Sequence, residues 1–268
     1  MPDKDKIFDN ILSDIEAVSN ETVEEYSLVS SDKKIKFKPL TLGQQSRVLT
    51  DTITTEGARL DTNIKLNEVI VENCQDGSEL KAIDREYILL QMKRGLTGSK
   101  LTVFIDDDNP VEVDLDIHLD NCKKLIKEMK IEQVFVVDVD DIKVTCRLPS
   151  LERDTEIIRY NQELFQNVDV EQTTENQATA NAINLAYLGE LAKHINTVSV
   201  GESIIDFASQ LTIEQQYKVL ENLPYNITSE ISKYIASVTE NINKLILYTH
   251  ETETPIAIEV SAQIFSVE

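Results

Sequence analysis

One short stretch of the chain contains four neighbouring side chains whose types suit acid–base chemistry. Asp84, Arg85, Glu86 and Tyr87 are consecutive, and an apolar run starts at Ile88. Carboxyl and phenol groups can exchange protons with a substrate when they are held within hydrogen-bonding distance of it. The same residue types also occur where a helix begins, so the stretch indicates either a catalytic cluster or a helix start.

The positions of these residues favour the helix start. Asp84 is predicted to be the N-cap, with its carboxylate accepting the backbone N–H of Tyr87. Glu86 would lie in the first turn, where the helix dipole favours an anion, and Gly95 would follow two basic residues as the C-terminal stop. For such a cap, replacement of Asp84 with Ala costs about 1 kcal/mol of stability.

Nucleophilic and zinc chemistry find little support in the sequence. No Gly-x-Ser-x-Gly elbow, Cys-x-x-Cys pair or Walker spacing is present. The three cysteines, Cys74, Cys122 and Cys146, are far apart in the sequence, and there are three histidines: His118, His194 and His250. We interpret the cysteines as free thiols of a reducing compartment, and convergence of a histidine with a serine or cysteine stays open.

Two acidic clusters supply oxygen ligands that calcium or magnesium would accept. Asp106–Asn109 and Asp138–Asp141 both lack the Gly and Glu positions of an EF-hand loop, so we interpret them as hairpin turns, with cation binding as the alternative. The sequence therefore predicts a non-enzymatic protein with no catalytic residue, no cofactor and no metal.

The charge balance limits the kinds of partner. Against 48 acidic residues there are 26 basic ones, a formal charge of −22. Binding to a nucleic acid needs cationic side chains that displace counterions, so no nucleic-acid partner is expected and a basic protein surface is favoured. Acidity that serves only solubility is the alternative. No apolar run approaches the length of a membrane span, so no membrane partner is expected either.

The spacing of apolar residues then predicts the helices and strands on which these residues lie. Three stretches alternate as hairpins, near residues 25–38, 100–117 and 133–148, and helical patterns lie around them. We predict an α+β fold with β-hairpins and packed helices in the N-terminal two thirds and a helical C-terminal region. The predicted division is an N-terminal amphipathic arm (1–20), an α+β domain (21–165), a polar loop or linker (166–181) and the helical region (182–268).

Two apolar stripes are candidate interfaces with other proteins. The stripe of the N-terminal arm comprises Ile7, Phe8, Ile11, Leu12 and Ile15. A short heptad seam near the C-terminus comprises Ile231, Ile235, Val238, Ile242 and Leu245. Packing on the chain's own core is the alternative for both stripes.

Four sequence blocks, taken in their order and spacing, carry a family resemblance: residues 33–45, 72–77, 83–94 and 141–150. Together they resemble the baseplate hub family of T-even-type contractile-tailed bacteriophages, and a weaker likeness continues from residue 211 to Phe265. Family members often end with a pair of nearby cysteines. The region from Tyr248 to Phe265 has none, so a metal-stabilised tail is not expected.

The resemblance implies a structural role in a virion. The chain would be a non-enzymatic component of a tail baseplate hub, present as an oligomer within a larger assembly and in contact with other phage baseplate and tail proteins. It would be located in the virion tail baseplate, and in the host cytoplasm during assembly. One alternative is a transient tail-assembly chaperone absent from the virion. A second is an acidic inhibitor that mimics DNA, although the carboxylates are spread along the whole chain.

Overall fold

Antiparallel hairpins alternate with helices along the chain, which is of the predicted α+β class. The computed structural model describes residues 11–15, 17–18, 22–50, 58–75, 79–106, 109–166, 175–248 and 257–258. The helices are α1 (residues 11–15 and 17–18), α2 (Leu42–Thr50), α3 (Ala58–Asn73), α4 (Arg85–Thr97), α5 (Leu115–Glu128), α6 (Leu151–Gln166), α7 (Glu175–His194), α8 (Phe207–Gln210), α9 (Ile213–Asn222) and α10 (Tyr225–Asn243). The strands are β1 (Glu24–Ser27), β2 (Lys34–Phe37), β3 (Lys100–Asp106), β4 (Asn109–Asp114), β5 (Val134–Val139), β6 (Ile142–Arg147), β7 (Ile195–Val200), β8 (Ser203–Asp206), β9 (Leu247–Tyr248) and β10 (Ala257–Ile258).

The largest described sheet has four antiparallel strands in the order β5-β6-β7-β8. Alternate side chains point to one face, where Val137, Val144 and Val198 are buried. The apolar core continues from this face to the hairpin β1–β2, where Phe37 is buried, and to α4 and α10. Among the described helices, none combines the length and the apolar composition that a bilayer crossing requires.

The sheet joins the two sides of the predicted linker. Strand β6 precedes residues 166–181 and pairs with β7, which follows them. Most of the C-terminal region is helical as predicted, but β7 and β8 were missed. The loop prediction was wrong for residues 175–181, which form the first turns of α7, and residues 167–174 lie outside the described residues. The polar segment contains alanines, the best helix formers, which compensate for its polar composition.

Close packing of α6 and α7 explains a glycine inside a helix. A Cβ atom at Gly189 would lie 2.8 Å from Asn161 Nδ2 and 3.1 Å from Ile157 Cγ2. The missing side chain lets α7 approach α6 closely, in spite of the entropic cost of glycine in a helix. The two helices that flank the predicted linker are therefore in direct contact.

The C-terminal stop of α4 also differs from its prediction. Gly95 lies within the helix, which continues to Thr97, and Gly98 is the C-cap with a φ of 83°. The backbone N–H of Gly98 donates to the carbonyl of Arg94 at 3.0 Å. Because a positive φ is readily adopted by glycine, the second glycine of the pair ends the helix.

Asp84 occupies the N-cap position of α4 but makes no capping hydrogen bond, so the predicted bond to Tyr87 was wrong. Its backbone has helical angles, φ −81° and ψ −19°, because it also ends a 3-10 turn, whereas a capping residue normally has extended angles. The fully buried carboxylate instead accepts hydrogen bonds from Val29 N and Ser30 N at 2.8 Å, Ser30 Oγ at 2.7 Å and Lys81 N at 3.1 Å. Asp84 thus attaches the loop after β1 to the start of α4. Burial raises the pKa of its carboxyl, against the effect of these hydrogen bonds.

Replacing Asp84 with Ala should therefore cost about 3 kcal/mol, because four buried or half-buried donors lose their acceptor. The matched control is Asp114→Ala, which removes a true cap: Asp114 has extended angles and accepts from the backbone N–H groups of Asp116 and Ile117. That control should cost about 1 kcal/mol. Urea unfolding of both variants measures the difference, and equal losses would contradict the role assigned to Asp84.

A second buried carboxylate, Asp154 of α6, connects four helices. It accepts from Lys193 Nζ of α7 at 2.8 Å, Arg85 Nη1 of α4 at 3.1 Å and Asn67 Nδ2 of α3 at 3.1 Å. Burial alone raises the pKa of Asp154, but Lys193 and Arg85 outweigh it and lower the pKa below its ordinary value. The ionised carboxylate is therefore the stable form at neutral pH.

His194, next to Lys193, is buried at the end of α7. Its Nδ1 lies 2.9 Å from the carbonyl oxygen of Glu190, and its ring meets the ring of Tyr234 edge-on with centroids 6.1 Å apart. Burial lowers the pKa of His194, although the Glu190 carbonyl opposes the shift. The imidazole is consequently neutral in the folded protein at neutral pH.

The contribution of His194 to stability should fall as the pH decreases from 7.5 to 5.5. The unfolded chain takes up a proton on His194 near the ordinary histidine pKa of about 6.5, whereas the folded chain resists it, so protonation favours unfolding. The lowered pKa of Asp154 adds a further loss only below about pH 4. Urea unfolding across this range should give a flatter pH dependence for His194→Gln than for the wild type. Identical slopes would contradict the assignment.

Candidate protein–protein interface

The N-terminal arm presents its apolar stripe to solvent. Ile11, Leu12, Ile15 and Val18 lie on α1 and are 53%, 43%, 59% and 64% exposed. At the C-terminal end of α1, the backbone N–H and the hydroxyl of Thr22 both donate to the carbonyl of Val18. The four described side chains therefore do not pack on the chain's own core. Of the predicted stripe, Ile7 and Phe8 lie outside the described residues.

The arm is also strongly acidic. No basic residue occurs between Lys6 and Lys33. Of the seven acidic residues in the same segment, Asp9, Asp14 and Glu16 belong to the arm, and the others follow it: Glu21, Glu24, Glu25 and Asp32. An exposed apolar stripe with acidic flanks fits an apolar surface with basic groups near it.

The heptad seam of α10 lies in the core. Ile231, Val238 and Leu245 are buried, and Ile235 and Ile242 are partly buried against the same cluster. The neighbouring Tyr234 stacks on Phe135 of β5 with ring centroids 5.0 Å apart, and its hydroxyl donates to the carbonyl of Glu132 at 3.0 Å. The seam is thus covered by its own chain, as the core-packing alternative predicted, and this face of α10 is not on the surface.

A third surface, which the sequence analysis missed, is the outward face of the four-stranded sheet. We call it the outer sheet face. It presents alternate side chains of all four strands: Val134, Val136 and Asp138 of β5, Lys143, Thr145 and Arg147 of β6, Thr197 and Ser199 of β7, and Ile204 and Asp206 of β8. Its apolar members Val134, Val136 and Ile204 are 45%, 44% and 71% exposed. Alternation on both sides of Gly201, which has a φ of 57°, was the signal that could have revealed β7 and β8.

Three of the four residues that suggested catalysis lie in different surroundings. Asp84 faces the loop after β1, Arg85 pairs with Asp154 of α6, and Tyr87 is buried. Burial raises the pKa of Tyr87 far above neutrality, so its phenol stays protonated. The stretch is consequently a structural junction, and its groups do not converge on one substrate position.

The structure does bring one histidine to one cysteine. His118 Nε2 lies 3.3 Å from Cys122 Sγ, one turn along α5, and 3.2 Å from the carbonyl oxygen of Leu245. Both residues are buried, and burial raises the pKa of the Cys122 thiol to about 11. A nucleophilic cysteine reacts as the thiolate, and the raised pKa disfavours that form, so we interpret the pair as a packing contact. Its spacing of four was the sequence signal that could have revealed it.

The acidic turns show no cation site within the described part of the chain. There, no group of three or more His, Cys, Asp or Glu side chains is placed to hold a metal ion. In the turn between β5 and β6, Asp140 has a φ of 53°, a turn conformation that Asp tolerates. The other cluster includes residues 107 and 108, which lie outside the described residues.

One comparison with known proteins gives a match across most of the chain. The family model described as T4 bacteriophage base plate protein matches residues 19–254, from the segment before β1 to beyond β9. Searches among curated proteins and among solved structures gave no significant match. The match begins just after α1, so the core and the outer sheet face lie within it. The chain belongs to the family of T4 bacteriophage base plate proteins.

Proposed function

We propose that this base plate protein is a non-enzymatic structural component of the tail baseplate hub, which docks on neighbouring subunits through its N-terminal arm. The observation that supports the proposal is the exposed apolar stripe Ile11, Leu12, Ile15 and Val18 on an acidic helix. The protein is located in the tail baseplate of the virion, and in the host cytoplasm while the tail assembles.

The energetics of the arm favour docking. Full burial of a Val, Leu or Ile side chain contributes about 1.5 to 3 kcal/mol relative to leaving it exposed. A helix as short as α1 is marginally stable in isolation, so a partner surface that covers the stripe also stabilises the helix. The acidic flanks steer the arm towards basic surfaces and away from acidic ones.

The double variant Ile11→Asp, Ile15→Asp should abolish co-purification with the other baseplate proteins of the same phage. Both side chains are more than half exposed, so the melting temperature should stay within experimental error of the wild type. The control is Ile117→Asp, an exposed apolar residue in the first turn of α5, 56% exposed, where an added carboxylate is tolerated. Unchanged co-purification of the arm variant would contradict the proposal.

A second experiment separates a hub component from a transient tail-assembly chaperone that uses the same arm. Mass spectrometry of purified phage particles should detect the chain in a fixed ratio to other baseplate proteins. Its absence from particles that carry complete tails would favour the chaperone.

A further inference from the structure

We propose that the outer sheet face is the docking surface for α1 of a second copy of this chain. The inference deepens the proposed function, because it names a partner of the arm and the surface that receives it. It rests on the dimensions, the apolar groups and the charges of two surfaces that are exposed on the same chain.

The outer sheet face carries exposed apolar side chains on both of its edge strands. Its two middle strands carry Thr145, Thr197 and Ser199, which are half-buried, together with the exposed cations of β6. From β5 to β8 the sheet spans three strand spacings, about 14 Å, and a helix with its side chains is about 10–12 Å wide. One helix laid over β6 and β7 is therefore wide enough to reach towards the valines of β5 on one side and Ile204 of β8 on the other.

The apolar groups of the two surfaces also agree, and the sheet is long enough for the helix. From residue 11 to residue 18, α1 extends over about 12 Å, and the six residues of β6 extend over about 20 Å. Apolar side chains that are exposed on both surfaces, such as Ile15 and Val136, would be removed from water by one contact. An antiparallel sheet with one open face is stable, and a helix is the usual element that covers such a face.

The charge of the outer sheet face also favours docking of α1, because the chain as a whole is acidic. The outer sheet face carries two cations and two carboxylates, a formal charge of zero, while the whole chain carries −22. Lys143 and Arg147 are both exposed and both lie on the middle strand β6, beneath the proposed position of α1. Asp138 and Asp206 lie on the edge strands. The acidic arm can thus approach the cations without strong repulsion.

The oligomeric state of the full chain tests the proposal. Sedimentation equilibrium at tens of micromolar should show self-association of the wild type. Val136→Glu should weaken the association constant about tenfold or more, as expected when a charge replaces an apolar anchor. The matched control is Val200→Glu, which lies in the same sheet and is 55% exposed, but has its side chain on the opposite face. This control should associate like the wild type, and thermal melting should show that both variants fold.

Two variants with exchanged charges test the contact between the arm of one copy and the outer sheet face of another. Lys143→Glu, Arg147→Glu places acidic residues on the sheet, and Asp14→Lys, Glu16→Lys places basic residues on the arm. Each variant alone should be monomeric, because its arm and its sheet carry like charges. An equimolar mixture should associate again, since each arm then meets a sheet of opposite charge.

Three outcomes would overturn the inference: a monomeric wild type, equal loss of association in Val136→Glu and Val200→Glu, or two charge variants that fail to associate when mixed. If the wild type is monomeric but the arm variant no longer co-purifies with the other baseplate proteins, the proposed function stands and the arm has a different partner. If the arm variant still co-purifies with the other baseplate proteins but no longer self-associates, docking of the arm on those proteins is contradicted. The second copy of the chain is then supported as the partner of the arm.

Discussion

The buried carboxylate of Asp154 is the constraint on which the arrangement of the helices depends. A charge without partners in the interior is very costly, so Asp154 must be met by Lys193 and Arg85 for the fold to be stable. These cations come from α7 and α4, on opposite sides of α6 in the sequence. Removal of one partner from such a buried pair typically costs about 3 to 5 kcal/mol. The positions of α4, α6 and α7 are therefore coupled by one charge.

This coupling determines how the four-stranded sheet is completed. Lys193 lies in the last turn of α7, and β7 begins at Ile195 directly after it. Once the Lys193 ammonium is fixed at Asp154, the chain enters β7 beside β6, and β8 follows through the turn at Gly201. Asp84 acts in the same way on the hairpin β1–β2, which it holds against the start of α4. Two buried acids thus position two hairpin systems that are far apart in sequence.

Features that depend on residues close in the chain could be predicted from the sequence, whereas features that depend on distant residues could not. Hairpins such as β5–β6 and the capping box of Thr212 with Gln215 were predictable, because alternation and caps depend on residues close in the chain. The side chain of Asp84 was not, since its partner Val29 is 55 residues away. For the same reason β7, which pairs with a strand some 50 residues earlier, was hidden within a region that is otherwise helical. The exposed stripe at Ile11 and Ile15 was found from periodicity, but burial of the equally periodic α10 seam depends on tertiary packing.

The distribution of charge explains why an acidic protein can still assemble. Many of the exposed acids lie beside a cation of the same chain, as Glu214 does with Lys218 and Glu72 with Arg47, and such pairs contribute little energy. Their effect is to keep large parts of the surface polar and hydrated. Exposed valine, leucine and isoleucine side chains occur together on the arm and on the outer sheet face, which makes these surfaces suited to apolar contact. Because no basic residue occurs between Lys6 and Lys33 and the sheet has its cations on a middle strand, the two surfaces discriminate by charge as well as by apolar contact.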